Sequence, residues 1–470
     1  MHRKHFLKLS LLSPLAAATK PLQLLPLLAQ AAVAKTDNVI FYKAGQPAYD
    51  VLKQCFNKRI HKMPALVAQC KNTAGVAEAV QYALEHNMPV AVKSGGHCME
   101  GFSCNEGGLV INLSALKQIE WIDNNTVQLG PACRLSEIYD ALLPQKKIIP
   151  GGSCAGVGIG GLVLGGGYGL MARRFGLTCD SLQAVTMVDG TGKIVTASGN
   201  DELMWACRGG NNGNFGVVTS LTFKTHTAPA TMHSFRFRAY KTSTDRSKKI
   251  IAEWFKLTAA LPPECFSALV QNGHTLYILL TNTGRHTTAV QYVVNQLKQL
   301  TDKTTSTGQL PLVKALKAYY GKTQPLYFKN ASAGLYKRFD DIAPVIDKVL
   351  DIVQATPGML YQVNTLGGNI VNDVLEKQSA FPHRAYPYFS ELQAYWEEPN
   401  RQQHLLQKFE EVQQVFNNNG LTAQYRNYPD INFNNWPQLY YGNNYQRLQQ
   451  VKLQYDPHNI FRYEQSIRPK

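Results

Sequence analysis

The chain has few charged residues and no long run of like charge. Charged side chains make up 17% of its 470 residues against 44% hydrophobic, which is typical of an ordered globular protein and excludes a disordered or fibrous one. The sequence also has no internal repeat and no block of five or more Lys and Arg, although its formal net charge is +16. The scattered positive charge therefore indicates a solvated surface and not a nucleic-acid site. Collagens, coiled coils and polytopic membrane proteins are excluded by the same composition.

The first 34 residues lack acidic side chains and have the pattern of an export signal. A basic stretch at 3–8 precedes apolar segments, and small residues follow at 29–34. Lysine and proline interrupt the apolar part, so we do not expect a membrane-spanning helix. The stretch 3–8 resembles a twin-arginine signal with lysine in the second place, and an ordinary cleaved signal is the alternative. We expect a periplasmic or secreted protein whose cleavage after Ala34 removes four basic residues and lowers the formal charge from +16 to +12.

The length of the chain and the change in its sequence pattern predict more than one domain. At about 150 residues per domain, 470 residues suggest two or three. Residues 36–225 alternate short β-rich runs with helical patterns, such as a helix over 73–85. Residues 226–424 carry longer alternating strands and amphipathic helices, which predicts an antiparallel sheet covered by helices on one face. The last segment, 425–470, ends in a helix that an Asp-Pro pair stops.

Glycine is concentrated in three loops of the first part. Ten of the nineteen residues in 151–169 are glycine, and further glycine-rich turns lie at 93–97 and 208–216. A dinucleotide fingerprint within 151–169 is rejected, because it must open a helix and each glycine would cost that helix about 1 kcal/mol. The glycines instead indicate a backbone that approaches a large ligand and donates N–H groups to phosphates, with a purely structural loop as the alternative. Three such loops favour one extended, phosphate-bearing cofactor.

Four segments together carry a family resemblance. They read KSGGH at 93–97, GGSCAGVGIGGLVLGGGYG at 151–169, ELMWACRGGNNGNFGVVTSLTF at 202–223 and NNYQRLQQVKLQYDPHNIFRYEQSI at 443–467. They resemble FAD-linked oxidases of the berberine bridge enzyme-like group.

This resemblance implies an α+β fold with a two-subdomain, PCMH-type FAD-binding domain. That domain would comprise 36–225, with 425–470 returning to it, and 226–424 would form the substrate-binding domain. FAD is the implied cofactor, and a sugar or alcohol and O2 are the implied reactants. We expect a monomer with no metal, no nucleic-acid partner and no membrane span.

The resemblance also assigns residues to the flavin. His97 resembles the histidine bonded to the flavin 8α-methyl and Cys154 the cysteine bonded to flavin C6, so bicovalent FAD is expected. Lys93 and Ala155 stand where the family commonly has arginine and proline. Val157 resembles the position where valine leaves a pocket for oxygen, which favours an oxidase that forms hydrogen peroxide. Without the resemblance, a hydrogen-bonded loop histidine, a buried thiol and a core valine are the alternatives. The other cofactor-binding candidates are Ser94, Gly95, Gly96, Gly158, Gly160, Gly161, Gly165, Tyr168 and Val218.

On the substrate side, the resemblance places Asn364 and Gln393 on strands that face the flavin. Gln393 stands where the alkaloid-forming member has a glutamate base, and an amide cannot accept a proton as a carboxylate does. Tyr425 then resembles the tyrosine base of the sugar- and alcohol-oxidising members, with Tyr428 and Glu391 as alternatives. A tyrosine pKa near 10 would have to be lowered by hydrogen-bond donors or positive charge.

The expected activity is hydride transfer from an alcohol or sugar carbon to flavin N5, with O2 reduced to hydrogen peroxide. The anomeric carbon of a sugar is the expected site of oxidation. A tailoring oxidase of secondary metabolism is the alternative among enzymes. A catalytically silent flavin-binding protein that docks on an anionic partner is the alternative of another class.

Nine cysteines leave an even number if Cys154 is bonded to flavin. In an oxidising compartment this predicts at least one disulfide near the flavin. The candidate pairs are Cys55 with Cys104 and Cys55 with Cys98. The spacing of these cysteines in the sequence does not distinguish the two pairs.

Overall fold

The structure, a computed structural model, describes the chain from residue 37 onward, and the export signal expected at 1–34 lies outside the described residues. Among residues 37–470, no helix has both the length and the apolar character needed to cross a membrane.

The first part of the described chain forms two main sheets. A four-stranded sheet has the order β1-β2-β4-β3, a five-stranded sheet the order β5-β6-β10-β8-β9, and β7 pairs with β11. The strands are β1 (Val39–Tyr42), β2 (Leu66–Cys70), β3 (Val90–Lys93), β4 (Leu109–Asn112), β5 (Ile119–Asp123), β6 (Thr126–Leu129), β7 (Lys147–Ile148), β8 (Leu182–Asp189), β9 (Ile194–Ser198), β10 (Gly216–Lys224) and β11 (His226–Thr227). The helices are α1 (Pro47–Lys53), α2 (Thr73–Glu85), α3 (Leu135–Leu142), α4 (Ile159–Leu164), α5 (Ala172–Phe175) and α6 (Glu202–Cys207).

Helix α2 shows how the local sequence builds this part. The side chain of Asn72 accepts a hydrogen bond from the Gly75 N–H and caps the helix. Val76, Ala79 and Val80 recur at helical spacing and are fully buried against both sheets. The predicted helix over 73–85 is confirmed to the residue.

The second part is one seven-stranded antiparallel sheet with the order β15-β12-β14-β13-β17-β18-β16. Its strands are β12 (Thr231–Ala239), β13 (Cys265–Asn272), β14 (Thr275–Asn282), β15 (Lys303–Pro311), β16 (Tyr327–Tyr336), β17 (Met359–Thr365) and β18 (Tyr388–Trp396). Its helices are α7 (Thr244–Ala259), α8 (Thr288–Leu300), α9 (Leu312–Lys317), α10 (Ile346–Ala355), α11 (Asp373–Lys377) and α12 (Gln402–Asn418). Helices α7, α8, α10 and α12 bury their apolar sides in one cluster on a single face of the sheet. The expected α+β fold, with an antiparallel sheet covered by helices on one face, is confirmed.

The carboxy-terminal segment returns to the first part. It contains α13 (Trp436–Tyr441) and α14 (Tyr445–Tyr455). The fully buried Lys452 ammonium donates to the Asn214 carbonyl at 2.7 Å and to Asp456 at 2.6 Å, and the Val90 N–H donates to the Ile460 carbonyl at 2.8 Å. These contacts tie the end of the chain to strand β3 and to the glycine-rich loop before β10.

The expectation that the glycine-rich segment opens no helix is wrong. Six residues, Ile159–Leu164, are helical although two of them are glycine. Burial of Ile159, Val163 and Leu164 supplies the stability that the propensity of glycine does not. The helix ends at Gly165 after less than two turns.

One further expectation is wrong. The expected disulfide is absent, because all nine cysteines are free. Cys55 and Cys104 are nevertheless neighbours, since a hydrogen bond between the two thiols is the main cause that lowers the pKa of Cys55 to about 7.

Candidate active site

One large cavity lies between the three glycine-rich loops and the helix-free face of the seven-stranded sheet. Its volume is ≈ 1150 Å³, and it is lined by parts of 94–103, 152–170 and 212–218, by the sheet and by 425–429. Pockets for a single small molecule occupy roughly 300–1,000 Å³. This cavity therefore has room for a large cofactor together with a substrate.

The glycine-rich loops contact each other backbone to backbone along one wall of the cavity. A Cβ atom at Gly158 would lie 2.5 Å from Ser94 Oγ, and one at Gly95 would lie 2.5 Å from the Gly158 nitrogen. Around the same wall, Asn212 Oδ1 and Ser103 Oγ are buried without a hydrogen-bond partner in the part of the chain that the structure describes. Bare backbone and orphaned polar atoms along one wall are features of a site that a polar cofactor completes.

Both proposed flavin anchors line this cavity. The ring of His97 stacks on Phe56 with centroids 4.1 Å apart. Burial, helped by Arg134, lowers the pKa of His97 to about 4, so its imidazole is neutral with a free nitrogen lone pair at physiological pH. Cys154 is open to the cavity, yet the surrounding protein and the Glu391 carboxylate raise the pKa of its thiol.

The structure brings together nearly all the residues that the sequence singled out for the cofactor. Gly165 does not line the cavity, because it ends α4 against Asn427: a Cβ there would lie 2.1 Å from Asn427 Oδ1. The candidates that do line it are Ser94, Gly95, Gly96, His97, Cys154, Val157, Gly158, Gly160, Gly161, Tyr168 and Val218.

The opposite wall is a polar strip on β16, β17 and β18, and the buried carboxylate of Glu391 is at its centre. Asn330 Nδ2 donates to Glu391 Oε2 at 3.1 Å, and Asn364 Nδ2 donates to Glu391 Oε1 at 3.2 Å. Burial raises the pKa of Glu391, and these amide donors offset part of that rise. Gln393 lies on the same face and donates to Gln362 Oε1 at 3.2 Å.

Three tyrosines stand between the strip and the glycine-rich wall. Tyr168 Oη donates to Glu391 Oε1 at 3.4 Å, and Tyr428 Oη donates to Tyr168 Oη at 3.5 Å. Tyr425 Oη instead accepts the Gly167 N–H at 3.0 Å and Asn427 Nδ2 at 3.1 Å. Burial raises the pKa of all three tyrosines, and the Glu391 carboxylate adds to this for Tyr168 and Tyr428.

Several cavity residues went unnoticed in the sequence. Asn330 and Gln362 line the polar strip, and Arg236 and Arg238 line the cavity from β12. The two arginines alternate with buried phenylalanines in a strand, and this period-two pattern could have assigned both to one face. Nothing in the local sequence marks Asn330, whose position depends on the pairing of β16 with β18.

Comparisons with known proteins match two parts of the chain to family models and most of the chain to individual relatives. A family model described as "FAD binding domain" matches residues 64–198, and one described as "Berberine and berberine like" matches residues 424–468. The chain is 30% identical over 437 residues to an uncharacterized FAD-linked oxidoreductase, YgaK, of Bacillus subtilis. The aligned residues cover 90% of this chain and 95% of YgaK. The chain is 27% identical over 446 residues to a chitooligosaccharide oxidase of Gibberella zeae, with 88% and 89% covered. The crystal structure of an aclacinomycin oxidoreductase superposes with a TM-score of 0.84 at 26% identity, covering 92% of this chain and 100% of that one.

Proposed function

Since the chain belongs to the berberine bridge enzyme-like family of FAD-linked oxidoreductases, we propose that it oxidises a sugar at its anomeric carbon and uses O2 as electron acceptor. The observation that carries this proposal is the chain of hydrogen bonds from Tyr428 through Tyr168 to Glu391, which lies in the same cavity as the glycine-rich wall. Such a chain suits removal of a hydroxyl proton, which alcohol oxidation requires. The chitooligosaccharide oxidase among the relatives supports a sugar as the substrate class.

His97 and Cys154 are the residues that we propose to hold FAD covalently. When bound, FAD supplies the hydride acceptor, N5, and returns the electrons to O2. A neutral imidazole and an accessible thiol are nucleophiles that can add to an electron-poor ring. The half-buried Val157 faces the cavity near them, and we propose that its small side chain leaves room for oxygen.

The hydrogen bonds favour Tyr428 over Tyr425 as the base. A phenolic oxygen accepts at most two hydrogen bonds, and Tyr425 Oη already accepts two from Gly167 and Asn427. Tyr428 Oη accepts none from the residues that the structure describes, so its lone pairs are available to a substrate hydroxyl. We therefore propose Tyr428, one of the two alternatives to Tyr425, as the group that takes the substrate proton.

Glu391 completes the proton path in this mechanism. As Tyr428 Oη takes the substrate proton, its own proton passes to Tyr168 Oη, and the proton of Tyr168 passes to Glu391 Oε1. Each tyrosine oxygen gains one proton and loses one, so neither tyrosine has to be ionised, and Glu391 keeps the one proton that is transferred. The negative charge of a buried carboxylate, held without a cationic partner among residues 37–470, is neutralised in the process.

The covalent attachment is tested with the purified protein. Replacing His97 or Cys154 singly by Ala should leave flavin attached through the other bond, and the double variant should release it. Acid precipitation followed by absorbance of pellet and supernatant distinguishes bound from free flavin. Release of all the flavin from the unaltered protein would remove the covalent proposal.

The base is tested with two matched tyrosine variants. Tyr428→Phe should slow anaerobic flavin reduction by about 10²-fold or more, whereas Tyr425→Phe should slow it far less. Stopped-flow absorbance of the flavin measures both. The reverse order of effects would return the assignment to Tyr425.

The substrate class is tested by flavin bleaching with a panel of compounds. Neutral mono- and oligosaccharides should bleach the flavin without oxygen, and hydrogen peroxide should form when oxygen is admitted. Bleaching by aromatic alcohols but by no sugar would favour a tailoring oxidase, for which the aclacinomycin relatives provide the precedent.

A further inference from the structure

The β12 side of the cavity carries two arginines without an acidic partner. Arg236 and Arg238 are two residues apart on one strand, so their side chains lie on the same sheet face, and both line the cavity. Both are half-buried. Within residues 37–470 neither guanidinium forms an ion pair or a side-chain hydrogen bond. The cavity therefore contains two uncompensated positive charges and ten N–H donors, five on each guanidinium.

The only side-chain contacts described for these guanidinium groups are with aromatic rings. The Arg236 guanidinium lies 5.6 Å from the ring centroid of Tyr319, and that of Arg238 lies 5.8 Å from the ring centroid of Tyr277. A ring face stabilises the charge and restricts the side chain but accepts none of its conventional hydrogen bonds. The N–H donors thus remain available for a planar acceptor such as a carboxylate, which a guanidinium binds through two parallel hydrogen bonds.

Strand register gives the distance of these arginines from the reaction centre. Arg238 pairs with Tyr277, Tyr277 with Val270, Val270 with Gln362, and Gln362 with Glu391. Four strand spacings of about 4.8 Å separate Arg238 from Glu391, or about 19 Å across the sheet. An elongated molecule with one end at Glu391 therefore extends over Tyr277 to reach the arginines.

The acidic residues that line the cavity stand elsewhere. Glu397 and Glu398 follow β18, and three strands (β14, β13 and β17) separate β18 from β12 in the sheet. The other cavity-lining cations are Lys322, Arg401 and Arg426. Arg401 donates to the Pro357 carbonyl, and Arg426 donates to the hydroxyl groups of Tyr441 and Tyr463. Among residues 37–470, Arg236 and Arg238 are thus the cavity-lining guanidinium groups without a described hydrogen-bond acceptor.

We propose that Arg236 and Arg238 form an anion subsite for a carboxylate or sulfate group on an oligosaccharide that is oxidised at its other end. This inference rests on the proposed function and specifies its substrate class as acidic oligosaccharides. Tyr277 provides an aromatic surface for a sugar ring between the two ends. The subsite acts on binding and takes no part in the proton path.

Binding of non-oxidisable ligands to the FAD-loaded protein tests the subsite separately from turnover. The probes are three oligosaccharides of equal length whose terminal anomeric hydroxyl is replaced by hydrogen: one neutral, one with a uronic acid at the opposite end and one with a sulfate ester there. Isothermal titration calorimetry should show tighter binding of an acidic probe than of the neutral one. The advantage should diminish as salt is raised, because the attraction is electrostatic.

Three variants test whether the two arginines cause the tighter binding of the acidic probe. Arg236→Gln and Arg238→Gln should each weaken binding of the acidic probe about tenfold or more, and of the neutral probe less than about twofold. Lys303→Gln is the matched control, because Lys303 pairs with Arg238 in register but is exposed on the edge strand β15 and outside the cavity lining. Its removal should change neither affinity.

Each outcome is decisive. A preference for the uronic acid assigns a carboxylate, and a preference for the sulfate ester assigns that group. Equal affinity for acidic and neutral probes, or equal loss of both in the arginine variants, would overturn the subsite. Flavin bleaching by a neutral sugar with an intact reducing end tests the proposed function alone, so the subsite can fail while the oxidase activity stands, and the reverse.

Discussion

The two faces of the seven-stranded sheet bury different kinds of side chain from the same strands. On β18, Leu392 and Ala394 are fully buried under the helices, while their neighbour Glu391 is almost as buried on the cavity face. On β17, Tyr361 and Val363 pack under the helices and Asn364 faces the cavity. Among the seven described strands of this sheet, the buried carboxylate, that of Glu391, is on the cavity face.

This difference separates residues that stabilise the fold from residues that serve the site. The helix-covered face gains free energy from each apolar side chain that it removes from water. The cavity face loses free energy by burying Glu391, whose raised pKa reports that cost. A buried charge without a cationic partner is retained where its proton chemistry is used.

Removing the charge of Glu391 on the cavity face should have the largest effect on the rate of flavin reduction. Glu391→Gln should slow anaerobic flavin reduction by about 10²-fold or more, because the last acceptor of the proton path is lost. Stopped-flow absorbance measures the rate, and denaturant unfolding should show a stability no lower than that of the unaltered protein. An unchanged rate would exclude Glu391 from the proton path.

Truncating the neighbouring residue on the helix-covered face should lower stability and leave the rate of flavin reduction nearly unchanged. Leu392→Ala should lower the free energy of unfolding by about 2–5 kcal/mol, because it leaves a cavity under the helices. The rate of flavin reduction should stay within about twofold of the unaltered protein. If the rate fell as far as in Glu391→Gln while stability stayed constant, the functional division between the two faces would be wrong.

Gln393→Met tests a polar residue of the cavity face that lies outside the proton path. The change removes the hydrogen bonds with Gln362 and Tyr395, so we expect KM to rise by about two- to tenfold. The rate of reduction at saturating substrate should stay constant. A loss confined to that rate would place Gln393 in the chemistry instead.

The pH dependence of stability should show the smallest effect. Because burial raises the pKa of Glu391, the folded protein binds this proton more tightly than the unfolded chain does. Its contribution to stability is therefore highest below the ordinary carboxyl pKa of about 4.3 and falls as pH rises toward the higher folded-state pKa. Glu391→Gln removes this term, so its stability relative to the unaltered protein should increase with pH across that window. Urea titrations at several pH values measure the difference, and a pH-independent difference would contradict it.

Much of the fold followed from local pattern in the sequence. Helix 73–85 was predicted to the residue, because it has an unbroken apolar period and a clear boundary. The helix Ile159–Leu164 was missed because tertiary burial outweighs the low helix propensity of its two glycines. The disulfide was predicted from cysteine parity and an expected oxidising compartment, and neither fixes the redox state of two neighbouring thiols.

The sequence by itself determined the family, the cofactor class and most of the glycine-rich wall. These features are encoded in contiguous motifs, each of which has to keep backbone close to a large ligand. The tertiary structure decided which tyrosine has free lone pairs, where Glu391 meets Tyr168, and that Arg236 and Arg238 enter the same cavity. Those relations join residues far apart in the chain through strand order and register, which no local pattern specifies. The substrate side of this enzyme is therefore a property of the folded sheet, whereas its cofactor side is already visible in the linear sequence.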